Sequence, residues 1–235
     1  MTHTFAEQTI EFNLVYKKRK TMGIYINLYG QVEVRIPRET PEKMILELLE
    51  KKWDWIILKT TEQKERTAGH KEKVYVPGEV FLYLGNTYPI EISQDVNIKK
   101  DYVEFEIDKL HIYVKEQEDE RIKQALNRFY HQQCKTLVEK RIQVYQKNFK
   151  VKPRSIRITD NKGTWGTCDS KQQLTFNWKL AMAPMESIDY VVVHEMSHLI
   201  HLNHDRSFWR LVGKILPDYE NRKNWLSQSS WKMIV

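Results

Sequence analysis

The sequence predicts an α+β chain in two unequal parts, and three observations carry that prediction. Up to about residue 115, polar and apolar residues alternate with period two in stretches rich in Ile, Val and Tyr, the pattern of antiparallel strands with one face buried. From about Gln117 to Phe149 there is neither Gly nor Pro, and Ile122, Ala125, Leu126, Phe129, Tyr130, Leu137, Ile142 and Tyr145 keep helical spacing. Directly behind the apolar run Val191–Val193 stands HEMSHLIHLNH, His194 to His204, with four of the chain's eight histidines. The expected division is therefore a β-rich part over residues 1–115, antiparallel with one inserted helix at about 41–65, and a second part over 116–235 that carries the histidines.

The elements follow in order. IEFNLVY and GIYINLYGQVEVRIP read as strands with a turn at Tyr29-Gly30. Thr40 is placed to cap a helix whose first position is Pro41, where the missing N–H had no partner to lose. Met44, Ile45, Leu48, Leu49, Trp53, Ile56 and Ile57 then mark one buried helical face, and a charged connection runs from Thr60 to Lys73. Strands return in VYVPGEVFLYLGNTYPIEIS and YVEFEIDKLHIYV, with turns at Pro77-Gly78 and Gly85-Asn86. After the long helix come SIRITD and QLTFNWKL, separated by NKGTWGTCDSK, and Ala183-Pro184 leads into the helix of the histidine motif. The sequence shows no internal repeat and no low-complexity tract.

Hydrophobic residues at 41% and charged residues at 29% describe an ordinary globular chain and argue against wholesale disorder. No stretch approaches eighteen uninterrupted apolar residues, and MTHTFAEQTIEF lacks the basic start and apolar middle of a signal peptide, so a cytoplasmic location without membrane contact is expected. Cys134 and Cys168 fall in different elements without C-x-x-C spacing, which predicts two reduced thiols rather than a disulfide or a thiolate metal site. The net charge of +7 invites a nucleotide or nucleic acid as partner, but only weakly. The basic residues are scattered, and the densest run, Lys17-Lys18-Arg19-Lys20, is short enough to be a solvated strand end.

The histidine segment suits zinc. Residues four apart on a helix are turned by about 40° and separated by about 6 Å along its axis, so His194 and His198 can close on one ion. Glu195 leaves the helix about 100° away, where a carboxylate can reach a water at the metal without displacing an imidazole. Both His201 and His204 are available as third ligand. His201 shares the face but sits about 10.5 Å up the axis of a continuous helix, which strains convergence on one centre. His204 can join only if the chain turns back. Asn203, which tolerates the left-handed conformation at a helix end, is the expected pivot, and Asp205 is placed to cap a following helix through SFWRLVGKIL. The assignment is His194, His198 and His204 as ligands, with His201 a neighbour. Chance would produce H-E-x-x-H in a chain with this histidine content roughly two times in a hundred. A closed structural zinc site would favour four protein ligands and cysteine.

These residues resemble the YgjP-like metallopeptidase domain family, related to the SprT-like and WLM zincins. VVVHEMSHLIHLNHDRSFW, the WGTC of Trp165–Cys168 and FNWKLAMAP leading to IDYVVVHE carry the similarity. VEVRIPRETPEKMILELLEKKWDWI and YVPGEVFLYLGNTYPIEI extend it over nearly the whole chain. The resemblance implies a zincin-like core in residues 116–235, with His194, His198 and His204 as zinc ligands and Glu195 as catalytic acid/base. One departure from the metzincin pattern is that His201 stands where those have glycine, so the turn must be built differently.

The functional expectation is a zinc-dependent hydrolase, a metallopeptidase acting on a peptide or protein, in which Glu195 activates water at the metal. Tyr190, one turn before His194, is a candidate oxyanion stabiliser. The strand through Thr175, Phe176 and Asn177, with Trp165, is a candidate edge for an extended peptide. Trp165, Phe176, Trp178, Phe208 and Trp209 also read as core packing. An alternative keeps the metal but hydrolyses a phosphoanhydride such as a nucleotide, with Lys162, Lys171, Lys179, Arg206 and Arg210 near the site elements in sequence. A further alternative is a DNA-associated binding protein or protease. The oligomeric state is not legible.

Overall fold

The computed structural model of the chain describes residues 1–18, 21–26, 30–66, 73–161 and 163–235. Arg19, Lys20, Tyr29, Lys162 and residues 67–72 of the charged connection therefore lie outside the described residues, while Thr60 to Arg66 of that connection are helical. Contacts divide the chain into two compact units, Met1–Glu72 and Lys73–Val235.

The first unit holds strands β1 (Thr2–Phe5), β2 (Gln8–Tyr16), β3 (Gly23–Ile26) and β4 (Val32–Ile36), then helices α1 (Glu42–Lys51) and α2 (Trp53–Arg66). The alternation seen in sequence becomes a one-sided sheet whose Ile10, Phe12, Val32, Val34 and Ile36 pack with Ile45, Leu49, Trp53 and Ile56 of the helices. Antiparallel pairing holds for β1–β2 and β3–β4, whereas β2 and β4 run parallel. The helix expected over 41–65 is two, broken at Lys52, and no Gly or Pro marks the break. Pro41 stands at the N-cap rather than inside the helix, and the Thr40 hydroxyl donates to the Pro37 carbonyl instead of capping.

The second unit begins with β5 (Val80–Tyr83), β6 (Asn86–Gln94), β7 (Tyr102–Glu106) and β8 (Lys109–Val114), followed by the long α3 (Asp119–Tyr145). A three-stranded sheet follows, built from β9 (Ser155–Thr159), β10 (Gly166–Cys168) and β11 (Gln173–Asn177), and then α4 (Met185–Ser197), α5 (Arg206–Ile215) and α6 (Tyr219–Ser229). Phe81, Ile90, Leu110, Ile112 and Val114 share one buried cluster with Ile122, Leu126 and Tyr130 of α3. That shared core is why the units meet at residue 72 and not after residue 115. Among the described residues, no helix is long and apolar enough to cross a membrane.

A repeat that the sequence does not display is plain in the topology. The two four-stranded sheets have orders β1-β2-β4-β3 and β5-β6-β8-β7, and each has its second strand parallel to its fourth with antiparallel pairs outside. Each opens with a hairpin whose two turn residues both have positive φ, Ala6-Glu7 and Leu84-Gly85, and in each the fifth residue of the second strand, Phe12 or Ile90, starts the parallel ladder. Each is followed by helix. Backbone geometry repeats here while side chains do not, so a search for recurring residues passes over it.

Three features of the second unit hold α4 in place. Tyr130 of α3 donates to the Leu82 carbonyl, joining helix to sheet in the interior. The tip of the β5–β6 hairpin docks on the chain just before α4, with Leu84 N–H and Gly85 N–H donating to the carbonyls of Ala181 and Met182 at 3.0 Å each. Gly85 has φ +86°, and a Cβ there would come within 2.9 Å of Pro184, so only glycine fits both the turn and the contact. Finally, the Asp189 carboxylate of α4 is 6% exposed and accepts from the Arg141 guanidinium and, at 2.9 Å, from the Tyr145 hydroxyl, both on α3, with Arg222 of α6 at 3.8 Å.

Asp189→Ala should leave Arg141 beside an empty site and lower the unfolding free energy by about 3 kcal/mol, a value typical of a buried pair that loses one partner. Denaturant unfolding measures it, and a loss below about 1 kcal/mol would show that the network does not anchor α4.

Candidate metal centre

Helix α4 is buried on nearly every side, as its apolar run requires; His194 is its one half-buried position after Glu186, and half-buried His198 stands at its C-cap. It stops at Ser197. Leu199 N–H and Ile200 N–H bond back to Met196 and Ser197 carbonyls at 3.1 Å each, tightening the last turn into 3-10 geometry. The His198 Nδ1 lies 2.9 Å from the His201 carbonyl, a contact that places a proton on Nδ1 and so selects, for the neutral ring, the tautomer whose Nε2 carries the lone pair. The chain thus reverses at the motif itself. Asn203 is not among the residues with positive φ, so the left-handed pivot expected there is not used. Asp205 does cap α5, accepting from Ser207 N–H at 2.9 Å and Phe208 N–H at 3.0 Å.

The reversal brings three imidazoles together. His204 Nε2 lies 2.9 Å from His194 Nε2 and 3.1 Å from His198 Nε2. Two nitrogens bonded to one tetrahedral ion at 2.0 to 2.1 Å are about 3.3 Å apart, so the spacing fits a single small cation. Burial, then the neighbouring His198, His204 and Lys223, pushes His194 down to about 3, and burial also lowers His204. Unprotonated imidazole is the form that binds a metal. Among the described residues this is the one group of three or more His, Cys, Asp or Glu whose donor atoms converge in this way. Its members could hold a divalent ion.

Phe208 fixes the arrangement from beneath. Its fully buried ring lies 4.9, 4.6 and 4.7 Å from the centroids of His194, His198 and His204 respectively. Trp209 stacks on His204 and on Tyr219. Both aromatics therefore serve as packing. His201 stands outside the triad. Its carbonyl holds His198, and its Nδ1 meets the Ser207 hydroxyl at 3.0 Å, which in turn donates to Asp205.

The three histidines open onto a cleft of about 490 Å³, lined also by Glu195, Tyr190 and the stretch from Thr164 to Cys168. Burial pushes the Glu195 carboxyl up to about 8. It lies against the backbone of β10, and a Cβ on Gly166 would fall 2.7 Å from its Cγ and 2.8 Å from its Oε1. The absent side chain of Gly166 is thus what makes room for the carboxylate. Sequence inspection missed both the role of Gly166 and strand β10 itself; the signal was a glycine inside WGTC, too short a stretch to show period-two alternation.

Other expected participants are placed differently. The edge strand beside the cleft is β10, while β11 with Thr175, Phe176 and Asn177 is central in the order β10-β11-β9. Phe176 and Trp178 are buried core, and Trp165 lines the cleft half-buried. The Tyr190 hydroxyl lies 3.5 Å from His194 Nδ1, on the side of the ring away from the triad, and burial followed by Glu195 pushes it up to about 12. It is placed to orient an imidazole. Cys168 lines the cleft as a thiol, pushed up to about 11 by burial and by Glu195 and Asp169, and is not in the converging group. None of Lys171, Lys179, Arg206 and Arg210 lines the cleft, and Lys162 lies outside the described residues.

Zinc titration of two variants separates the roles of the neighbouring histidines. His204→Ala should weaken zinc affinity by more than about 100-fold, whereas His201→Ala, which keeps the backbone carbonyl, should stay within about tenfold. The reverse order would show His201 to be the third donor.

Comparison with known proteins adds an independent finding. No curated protein matches the chain. A family model described as YgjP-like, metallopeptidase domain, matches residues 20–229, which include both sheets of the second unit, the cleft and all three histidines. By that match the chain belongs to the YgjP-like metallopeptidase domain family.

Proposed function

We propose that the chain is a zinc-dependent hydrolase that cleaves peptide bonds, with His194, His198 and His204 as ligands of the ion and Glu195 as its acid/base. The observation that carries this reading is the convergence of three imidazole Nε2 atoms beside a buried carboxylate at the floor of an open cleft. The donor set fits the ion: three imidazole nitrogens with no fourth protein donor converging among the described residues is the composition of a catalytic rather than a structural zinc site. When bound, zinc supplies Lewis-acid polarisation of a carbonyl and makes a water acidic enough to act near neutral pH.

The chain's own residues supply the rest. Glu195, held against β10 by the space at Gly166, accepts the proton of the attacking water and returns it to the departing amine. Its low-dielectric seat favours proton holding, the property wanted in a group that must carry a proton between two steps. Tyr190 and the His201 carbonyl steady the rings of His194 and His198, so the lone pairs stay aimed at one point. Among the described residues, strand β10 pairs with β11 on one side only, and it borders the cleft, where an extended peptide can add as a further strand. A phosphoanhydride substrate would call for cations at the cleft, and no Lys or Arg lines it among the described residues. DNA association draws no support from the cleft for the same reason.

Glu195→Gln should keep one zinc per chain by elemental analysis and lower cleavage of an unfolded protein substrate by more than about 100-fold. Gly166→Ala should do the same by displacing the carboxylate, again with zinc retained. Release of phosphate from nucleotides without any peptide cleavage would refute the peptidase reading.

A further inference from the structure

The second unit carries another concave surface, remote in composition from the histidine cleft. A groove of about 770 Å³ lies between α3 and β9. On α3, Gln124, Arg128, His131 and Lys135 follow the spacing of one helical face and line it, and Lys100 and Arg157 approach from the loop before β7 and from β9. Among the described residues, no carboxylate lines it. Lys100, Lys135 and Arg157 have no ion-pair partner among the described residues, and Arg128 donates only to the neutral Asp101 carbonyl at 2.8 Å. Of the nearby acids, Asp101 sits 3.5 Å from Arg121 and accepts from Lys115 N–H, whereas Asp160, which faces His131, and Glu120 accept from the neutral Trp178 indole and Gln124 amide. Four cations facing one concavity outnumber these two carboxylates and give a net positive field that low-dielectric walls concentrate.

The second wall says what shape of ligand fits. Among the described residues, strand β9 pairs with β11 on one side only, and Ile156, Arg157 and Ile158 of β9 line the groove. An unpaired strand edge offers alternating N–H and C=O groups to an added strand, and half-buried Ile156 and Ile158 offer apolar contact to alternate side chains. We propose that this groove binds an extended acidic peptide segment that lies along β9 and places its carboxylates against Lys100, Arg128, Lys135 and Arg157. A single-stranded nucleic acid is the other polyanion, and the lining disfavours it. Such chains are held by stacking bases on exposed aromatic faces, whereas no Phe, Tyr or Trp lines the groove and the His131 ring is already stacked on Trp178 at 5.4 Å. The groove shares no residue with the histidine cleft, so the inference stands apart from the hydrolase reading.

The test uses the full chain and a fluorescein-labelled decapeptide of alternating Glu and Val, followed by anisotropy at low and moderate salt. Saturable binding is expected, weakened more than about tenfold by Lys135→Glu combined with Arg157→Glu and weakened by salt. Hydrogen exchange should slow at the β9 amides when the peptide binds. Both substituted side chains are exposed, so circular dichroism should be unchanged, and Lys135→Gln with Arg157→Gln serves as a milder pair with a loss of about threefold. Absence of saturable binding, affinity unaffected by either pair, or no slowing at β9 would overturn the proposal. So would tighter binding of an oligothymidine that the same substitutions abolish.

Discussion

Three imidazole nitrogens, those of His194 and His198 each about 3 Å from that of His204, converging at the end of a buried helix are the constraint on which the rest of the second unit turns. A straight helix presents two such groups and carries the next away along its axis, so the chain must leave helical geometry immediately and come back. It does so by tightening after Ser197, by committing the His201 carbonyl to the His198 ring, and by restarting a helix at Asp205. Phe208, three residues into that restart, fills the space beneath all three rings. The glycine of related motifs is unnecessary because the turn is made by backbone bonds of ordinary hand rather than by a left-handed residue.

Such a corner keeps its geometry only if α4 cannot shift, and the fold surrounds that helix accordingly. Long helix α3 runs behind it and grips Asp189 with Arg141 and Tyr145. The β5–β6 hairpin seals its start, and the short sheet supplies the floor on which Glu195 rests at Gly166. The four-stranded sheet of the second unit is therefore part of the framework of the site. This explains why its core merges with that of α3, although its alternating sequence pattern is closer to that of the first unit than to the helical one after residue 116.

Much of the site was legible from residue types and spacing, because ligand chemistry forces histidines and a glutamate into recognisable positions. The capping Asp205 was legible for the same reason: an N-cap is a local event. The Lys52 break and the parallel pairings of β2 with β4 and β6 with β8 were not, since register between distant strands depends on side-chain burial that alternation alone leaves open. Two-residue turns at Ala6-Glu7 and Ile107-Asp108 adopt positive φ without Gly or Asn, so their hairpins carry no turn signal. Gly166 was hidden because its importance is the space it leaves for a residue twenty-nine positions later.

Both proposals draw on opposite borders of one small sheet: β10 beside the histidines and β9 beside the cations. The more fundamental is the metal. X-ray absorption at the zinc edge of the zinc-loaded chain reads the donor atoms directly, and three imidazole nitrogens with no sulfur are expected. A sulfur contribution from Cys134 or Cys168, or a fourth protein donor closing the coordination shell, would contradict a catalytic site built on His194, His198 and His204.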